Sequence, residues 1–373
     1  MKILIVQDFL RSGGTERQSV LLANAFAAAG HPVTLLTFRP GGPLETTVAP
    51  GVQRQALQPF DTGLDWFAPG LTRAAARLHP AIILLMGRMA NCYGRFIVRG
   101  LRHRRPQTAV VGTMRTGKKL PWLFRRSLGA VRHVVANSHE ARAALVRQHL
   151  VPPEQISVIH NSLVFSPADV ADQASYSRRS TLRAEQGATD TTTVLLCVAM
   201  FRPEKNQREL IEIAAGLPTG ADWQLWLAGD GPARKACAQL AAAKNLNARV
   251  KFPGFHRDPS ALYAAADVAV HASWSEALSN FLIEAQAHGL PAVAFEAQGV
   301  RECFVPDRTG WAIARHEHEA FRTRLLRLIS DSAATRPARA AEARAYARLT
   351  FDSERQVAAY LDLLQTLSSR PAP

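Results

Sequence analysis

With 373 residues, 47% hydrophobic and 20% charged, the chain has room for two globular domains with separate cores and is neither disordered nor fibrous in composition. Cys92, Cys197, Cys237 and Cys303 show no CxxC or CxxH spacing, so neither a disulfide framework nor a zinc site is indicated, and a reducing compartment fits. The whole net charge of +15 lies in the first half, since residues 1–150 hold 21 Lys+Arg against 6 Asp+Glu while residues 151–373 hold 24 of each, which points to an anionic partner for that half.

The opening MKILIVQDFL is too short for a signal peptide, and Lys2 to Gln7 read as a first buried strand. Arg11-Ser12-Gly13-Gly14-Thr15-Glu16 then turns into a helix from about Arg17 to Ala29, and Val33 to Phe38 reads as a second strand. This is a βαβ unit whose glycine pair lets backbone come close to a ligand, although a plain tight turn reads the same way. A nicotinamide dinucleotide fingerprint needs G-x-G-x-x-G and an acid after the second strand; Arg39 stands there instead. Ala81 to Met86 and Ala109 to Thr113 read as further short parallel strands. No apolar run approaches the roughly 20 residues of a membrane-spanning helix.

Residues 95–132 are acid-free and strongly basic, with Lys118, Lys119, Arg125 and Arg126 around Leu120-Pro121-Trp122-Leu123-Phe124. A basic segment with exposed aromatics suits an anionic membrane surface. Nucleic acid attracts the same residues but no nucleic-acid motif accompanies them, so none is expected as partner. The bland alternative is a solvated face with Trp122 and Phe124 in the core.

In the second half, Ser166 to Asp190 reads as a linker with a short helix, and Thr193 to Ala199 as the first strand of a second doubly wound domain. Arg202 and Lys205 follow on a strand-end loop, two cations available to a diphosphate. Trp223 to Leu227 reads as a strand closing in a glycine turn, Val250 to Gly254 as a short strand and loop, and Phe351 to Leu367 as one amphipathic helix.

Ser273 to Pro291, SWSEALSNFLIEAQAHGLP, organises the rest. It places Glu276 on a turn and Glu284 inside a helix that stops at Gly289. Ser279 is the expected N-cap, which aims the amides of Asn280 to Leu282 at whatever sits above the strand, a natural place for phosphate. Amides for an anion and carboxylates for hydroxyls suit a ligand carrying both a diphosphate and a sugar. Read singly, Glu276 and Glu284 are also ordinary surface acids.

With these neighbours the chain resembles the retaining glycosyltransferases of family 4, the group 1 enzymes of GT-B fold. Ser275-Glu276, Ile283-Glu284-Ala285 and Gly289-Leu290-Pro291-Ala292-Val293-Ala294 match their recurring text, as do Gly13-Gly14-Thr15-Glu16-Arg17 and Pro203-Glu204-Lys205-Asn206. The resemblance implies two Rossmann-like doubly wound α/β domains facing across a cleft: an acceptor domain over 1–165, a nucleotide-sugar domain over 166–350, and a helix over 351–373 returning to the first. It further implies that Glu276 lies by the donor sugar and Glu284 by the ribose. Lys205 and Arg202 would meet the phosphates with Gly13, Gly14, Ala277, Leu278, Ser279 and Asn280, and Gly254 would lie near the base. One departure stands out: family members often place a histidine after the strand matching Ala109–Thr113, where this chain has Met114 and Arg115, and Arg115 becomes the residue expected to face the cleft.

The activity implied is sugar transfer from a UDP- or GDP-linked donor to an acceptor hydroxyl with retention. No Asp-x-Asp pair is present to hold a metal, so none is expected, nor any cofactor beyond the substrate. Lipopolysaccharide, capsule or another surface glycan is the expected product, made in the cytoplasm or on the inner face of its membrane with a lipid-linked or saccharide acceptor. A GT-B nucleotide-sugar epimerase and a non-catalytic basic binding module are the alternatives.

Overall fold

Strand β1 (Ile3–Gln7) is buried at every residue, and its side chains alternate between two cores: Leu4 and Val6 face one, Ile3 and Ile5 the other. A strand covered on both faces reads as an unbroken apolar run, which is why the central strands were visible as such runs. The computed structural model describes residues 1–164, 173–331 and 335–369. They fall into two units, Met1–Ser162 with the residues from Ser353 onward, and Leu163–Asp352.

In the first unit β1 is joined by β2 (Val33–Thr37), β3 (Val52–Ala56), β4 (Ile82–Leu85), β5 (Ala109–Met114), β6 (His133–Ala136) and β7 (Ile156–Val158). The parallel order is β3-β2-β1-β4-β5-β6-β7. Strand order reverses between β1 and β4, so loops leaving their carboxyl ends diverge and open a crevice there. β3 escaped the sequence reading because it is an edge: Gln53, Arg54 and Gln55 are exposed and only Val52 is buried.

The second unit holds β8 (Thr193–Val198), β9 (Trp223–Ala228), β10 (Val250–Gly254), β11 (Val268–His271), β12 (Ala292–Phe295) and β13 (Gly310–Ile313) in parallel order β10-β9-β8-β11-β12-β13. Its switch point lies between β8 and β11. One expectation is corrected here. Of the supposed linker, residues 165–172 lie outside the described residues, but the helix Gln173–Glu185 belongs to the unit itself. Arg183 is only 2% exposed, donating to the Ala265 carbonyl at 2.7 Å and pairing with Asp267 at 3.1 Å, while Leu182 joins the core. The expected helix Phe351–Leu367 is Ser353–Ser369, and a separate helix, Thr335–Phe351, precedes it. Asp352 breaks them where Leu163 bridges to it and the Leu163 amide takes the Phe351 carbonyl at 2.8 Å. The later helix is built into the first unit, where Tyr360, Leu364 and Leu367 share a core with Phe26. Among the described residues no helix is long and apolar enough to cross a membrane.

Candidate active site

The chain leaves β11 at His271 and turns through Ser273 to Ser275. Ser273 Oγ and the Trp274 amide both donate to the Glu204 carbonyl, at 2.9 and 3.1 Å, and so stitch this turn to the loop that follows β8. The stitch brings two distant residues together. Lys205 Nζ lies 2.6 Å from Glu276 Oε1, and His271 Nε2 lies 3.0 Å from the same oxygen. Oε2 makes no hydrogen bond among the described residues. Glu276 is 9% exposed. Burial alone pushes its pKa up, but the Lys205 charge and then the His271 bond outweigh it and hold the carboxyl well below the usual carboxylate range. The result is a desolvated carboxylate clamped through one oxygen, with the other left to accept from a ligand hydroxyl.

Three residues on, Ser279 caps the helix Asn280–Ala287 as its sequence position implies, accepting from the Leu282 amide at 3.5 Å. Ala277 and Leu278, both 5% exposed, are fixed by Gly299, whose φ of +73° and close approach to the Ala277 carbonyl leave no room for a side chain. Glu284 accepts from the Tyr263 hydroxyl at 2.6 Å. The Tyr263 ring is in turn stacked on His288, centroids 4.9 Å apart and 13° from parallel. Arg202 is exposed and its side chain has no partner among the described residues, in contrast to Lys205. Gly254 ends β10 at φ +87°, its carbonyl accepting from the Gly229 amide at 2.7 Å. Glu276, Glu284, Lys205, Arg202, Gly254 and the Ala277–Asn280 turn thus all sit at the carboxyl ends of strands in the second unit.

In the first unit Gly13 is the N-cap of the helix Gly14–Ala28, with extended backbone and Glu16 in the first turn. Arg115, the residue expected to face the cleft, is held by two partners of its own unit. Its Nη1 donates to Asn161 at 2.7 Å and its Nη2 to the Tyr360 hydroxyl at 2.7 Å, so its guanidinium bolts the returning helix to the sheet. The basic segment divides the two readings of its aromatics: Trp122 is 62% exposed, whereas Phe124 is 1% exposed and in the core. Sequence reasoning missed His271 and Tyr263 as partners of the two acids. His271 is hidden in an apolar strand, and its position five residues before Glu276 is the only signal it left.

The family model described as "Glycosyl transferases group 1" matches residues 178–348, and the model "Glycosyltransferase Family 4" matches residues 12–163. The chain belongs to glycosyltransferase family 4. Among relatives of this family it is similar to the lipopolysaccharide core biosynthesis glycosyltransferase LpsE of Rhizobium meliloti, 30% identical over 150 residues, covering 40% of this chain and 43% of that one. It is also similar to the alpha-D-kanosaminyltransferase of Streptomyces kanamyceticus, 28% identical over 213 residues, covering 56% and 54%. The matched stretches span about half the length of these relatives. Anabaena HepE, solved in complex with UDP, superposes with a TM-score of 0.80 over 98% of this chain and all of that one at 23% identity. The fold of this family 4 chain is therefore GT-B.

Proposed function

We propose that the protein transfers a sugar from a UDP- or GDP-linked donor to an acceptor hydroxyl with retention and without a metal, using residues 166–350 for the donor and 1–165 for the acceptor. The observation that carries this is the Lys205–Glu276–His271 cluster beside the Ser279-capped helix at the switch point of the second sheet. Breaking a glycosidic bond to a diphosphate puts negative charge on the leaving phosphate. Lys205, Arg202 and the helix-head amides around Asn280 meet that charge, and in a desolvated site each such donor lowers the barrier by several kcal/mol. Glu276 Oε2 accepts from a donor-sugar hydroxyl and orients the ring for attack by the acceptor. Glu284, steered by Tyr263, accepts from the ribose. Gly13 and Gly14 stand at the head of their own helix, where a phosphate would displace the Glu16 carboxylate that lies against Gly13. LpsE works in lipopolysaccharide core synthesis by its name, which favours a surface glycan as product here, with an anionic lipid-linked or saccharide acceptor.

In this reading the basic segment 95–132 rests on the anionic inner face of a membrane. Calorimetric titration with UDP, GDP and ADP tests the donor site on the intact protein and on Glu284→Ala and Lys205→Ala. One nucleotide should bind, about tenfold or more weaker in either variant, which is roughly 1.4 kcal/mol. If no diphosphate bound, with or without divalent metal, the proposal would fail. Equal binding to anionic and neutral vesicles at low salt would remove its membrane half.

A further inference from the structure

The loop from Gln58 to Phe67 is built inside out. Its polar groups are spent on itself and on the sheet beneath. The Gln58 side chain, 1% exposed, donates to the carbonyls of Leu64 at 3.0 Å and Phe67 at 2.6 Å, and accepts from the Thr62 amide at 3.3 Å and hydroxyl at 2.8 Å. That uses both donors and both acceptor sites of one amide. Asp61 accepts from the Gly63 amide at 2.8 Å and from Arg39 Nε and Nη2 at 2.7 and 2.9 Å. Asp65 accepts from Arg39 Nη1 at 2.6 Å and from Arg11. The Tyr93 hydroxyl holds the Trp66 carbonyl. The loop's large apolar side chains stand outside, Phe60 68% exposed, Trp66 56%, Leu64 42% and Phe67 39%, while the part-exposed carboxylates of Asp61 and Asp65 are each paired with arginine.

Surface loops ordinarily turn polar groups to water and bury their apolar side chains. The reverse arrangement, with the backbone fixed by so many internal bonds, is kept where an apolar phase meets the protein. The surroundings identify that phase. Phe96, 49% exposed, continues the patch on the helix Gly94–Leu101 through its ring contact with Tyr93. No acid occurs between Asp65 and Glu140, and the two acids inside the loop are neutralised by Arg39 and Arg11. Aromatic and aliphatic tips with an acid-free basic surround match an anionic lipid interface, where cations meet phosphate and the tips enter the headgroup region.

We infer that the 58–67 loop is a preformed wedge that enters the headgroup layer of an anionic bilayer. This rests on the membrane reading above and adds the element that penetrates. The test uses the full chain with vesicles of phosphatidylcholine alone or mixed with phosphatidylglycerol, the lipids brominated near the headgroup. Partition is read by sedimentation and depth by tryptophan quenching. The double variant Phe60→Ser/Trp66→Ser should partition at least tenfold less onto anionic vesicles, with UDP affinity and melting temperature unchanged. Trp66→Phe should keep binding but lose a large share of the quenching. Lys118→Gln/Lys119→Gln should lose salt-sensitive affinity and keep the quenching of whatever binds. Unchanged partition of the double variant, or equal quenching in native protein and Trp66→Phe, would overturn the wedge. So would a concentration-dependent dimer that those serines abolish, because the patch would then belong to a second copy. Protein that binds UDP but no vesicle refutes the wedge and leaves the transferase; loop-dependent vesicle binding without nucleotide affinity does the opposite.

Discussion

Replacing Glu276 by Gln should tighten nucleotide diphosphate binding while abolishing transfer. The Gln side chain keeps the size of the carboxylate and can still present a carbonyl oxygen to Lys205 and His271, so what it removes is the charge. In the structure that charge holds the Lys205 ammonium at 2.6 Å. A diphosphate must recruit the same ammonium and accept a carboxylate nearby. Two unit charges about 8 Å apart at an effective dielectric of about 20 repel by about 2 kcal/mol. Lys205 is about a quarter exposed, so solvent screens part of this, and about 1 to 1.4 kcal/mol is expected to remain, or five- to tenfold tighter UDP. Transfer should fall about a hundredfold or more, because the group that orients the donor sugar and balances Lys205 is gone. Calorimetry with UDP and a turnover assay with the corresponding sugar nucleotide read the two effects separately. Equal or weaker UDP binding by folded Glu276→Gln, measured below its melting transition, would refute the view that the carboxylate competes with phosphate for Lys205.

Tyr263→Phe removes the 2.6 Å bond to Glu284 and should weaken nucleotide binding by about 0.5–1.5 kcal/mol, measurable by the same titration. Arg183→Met leaves the carbonyls of Ala265, Thr189 and Thr192 without their donor, although Asp267 keeps Arg179 at 2.8 Å, and should cost about 1–3 kcal/mol in denaturant unfolding, with nucleotide affinity of the folded protein unchanged. Because the Glu276 carboxyl is held below its ordinary pKa in the fold, its contribution to stability is fully present above the ordinary value of about 4.3 and is lost as pH falls toward the folded value. Melting curves of the native chain should therefore drop more steeply below about pH 4.3 than those of Glu276→Gln.

The central strands of the two sheets were legible because strands buried on both faces have no polar positions to confuse them, as in Ile3–Gln7 and Thr193–Val198. Where a strand is an edge, as at Val52–Ala56, side chains face water and the pattern fails. The helix Gln173–Glu185 was taken for linker because its inward residue is Arg183, whose charge is matched only by Asp267, far away in sequence. In the site, the Ser279 cap was readable because capping is local in the chain. The pairing of Lys205 with Glu276 was not, because 71 residues separate them and only the sheet order makes their strands neighbours. For the same reason the partners of Arg115 were not legible: Asn161 and Tyr360 come from far along the chain.

That pairing gives Lys205 and Arg202 different duties. Lys205 is already committed to Glu276, while Arg202 is exposed and unpaired among the described residues. A sugar-linked diphosphate carries less charge on its terminal phosphate than the free diphosphate released from it. Arg202 is available to both forms from the start, so it should contribute about equally to each. Lys205 leaves its carboxylate only as the phosphate charge grows, so its attraction is realised late, as the bond breaks. Arg202→Met should therefore weaken UDP and the intact sugar nucleotide by similar factors and act mainly on KM. Lys205→Met should weaken UDP at least several-fold more than the sugar nucleotide and act mainly on kcat. Equal losses of both ligands in Lys205→Met would mean that its bond to Glu276 exerts no hold on it, and that the two cations are interchangeable phosphate contacts.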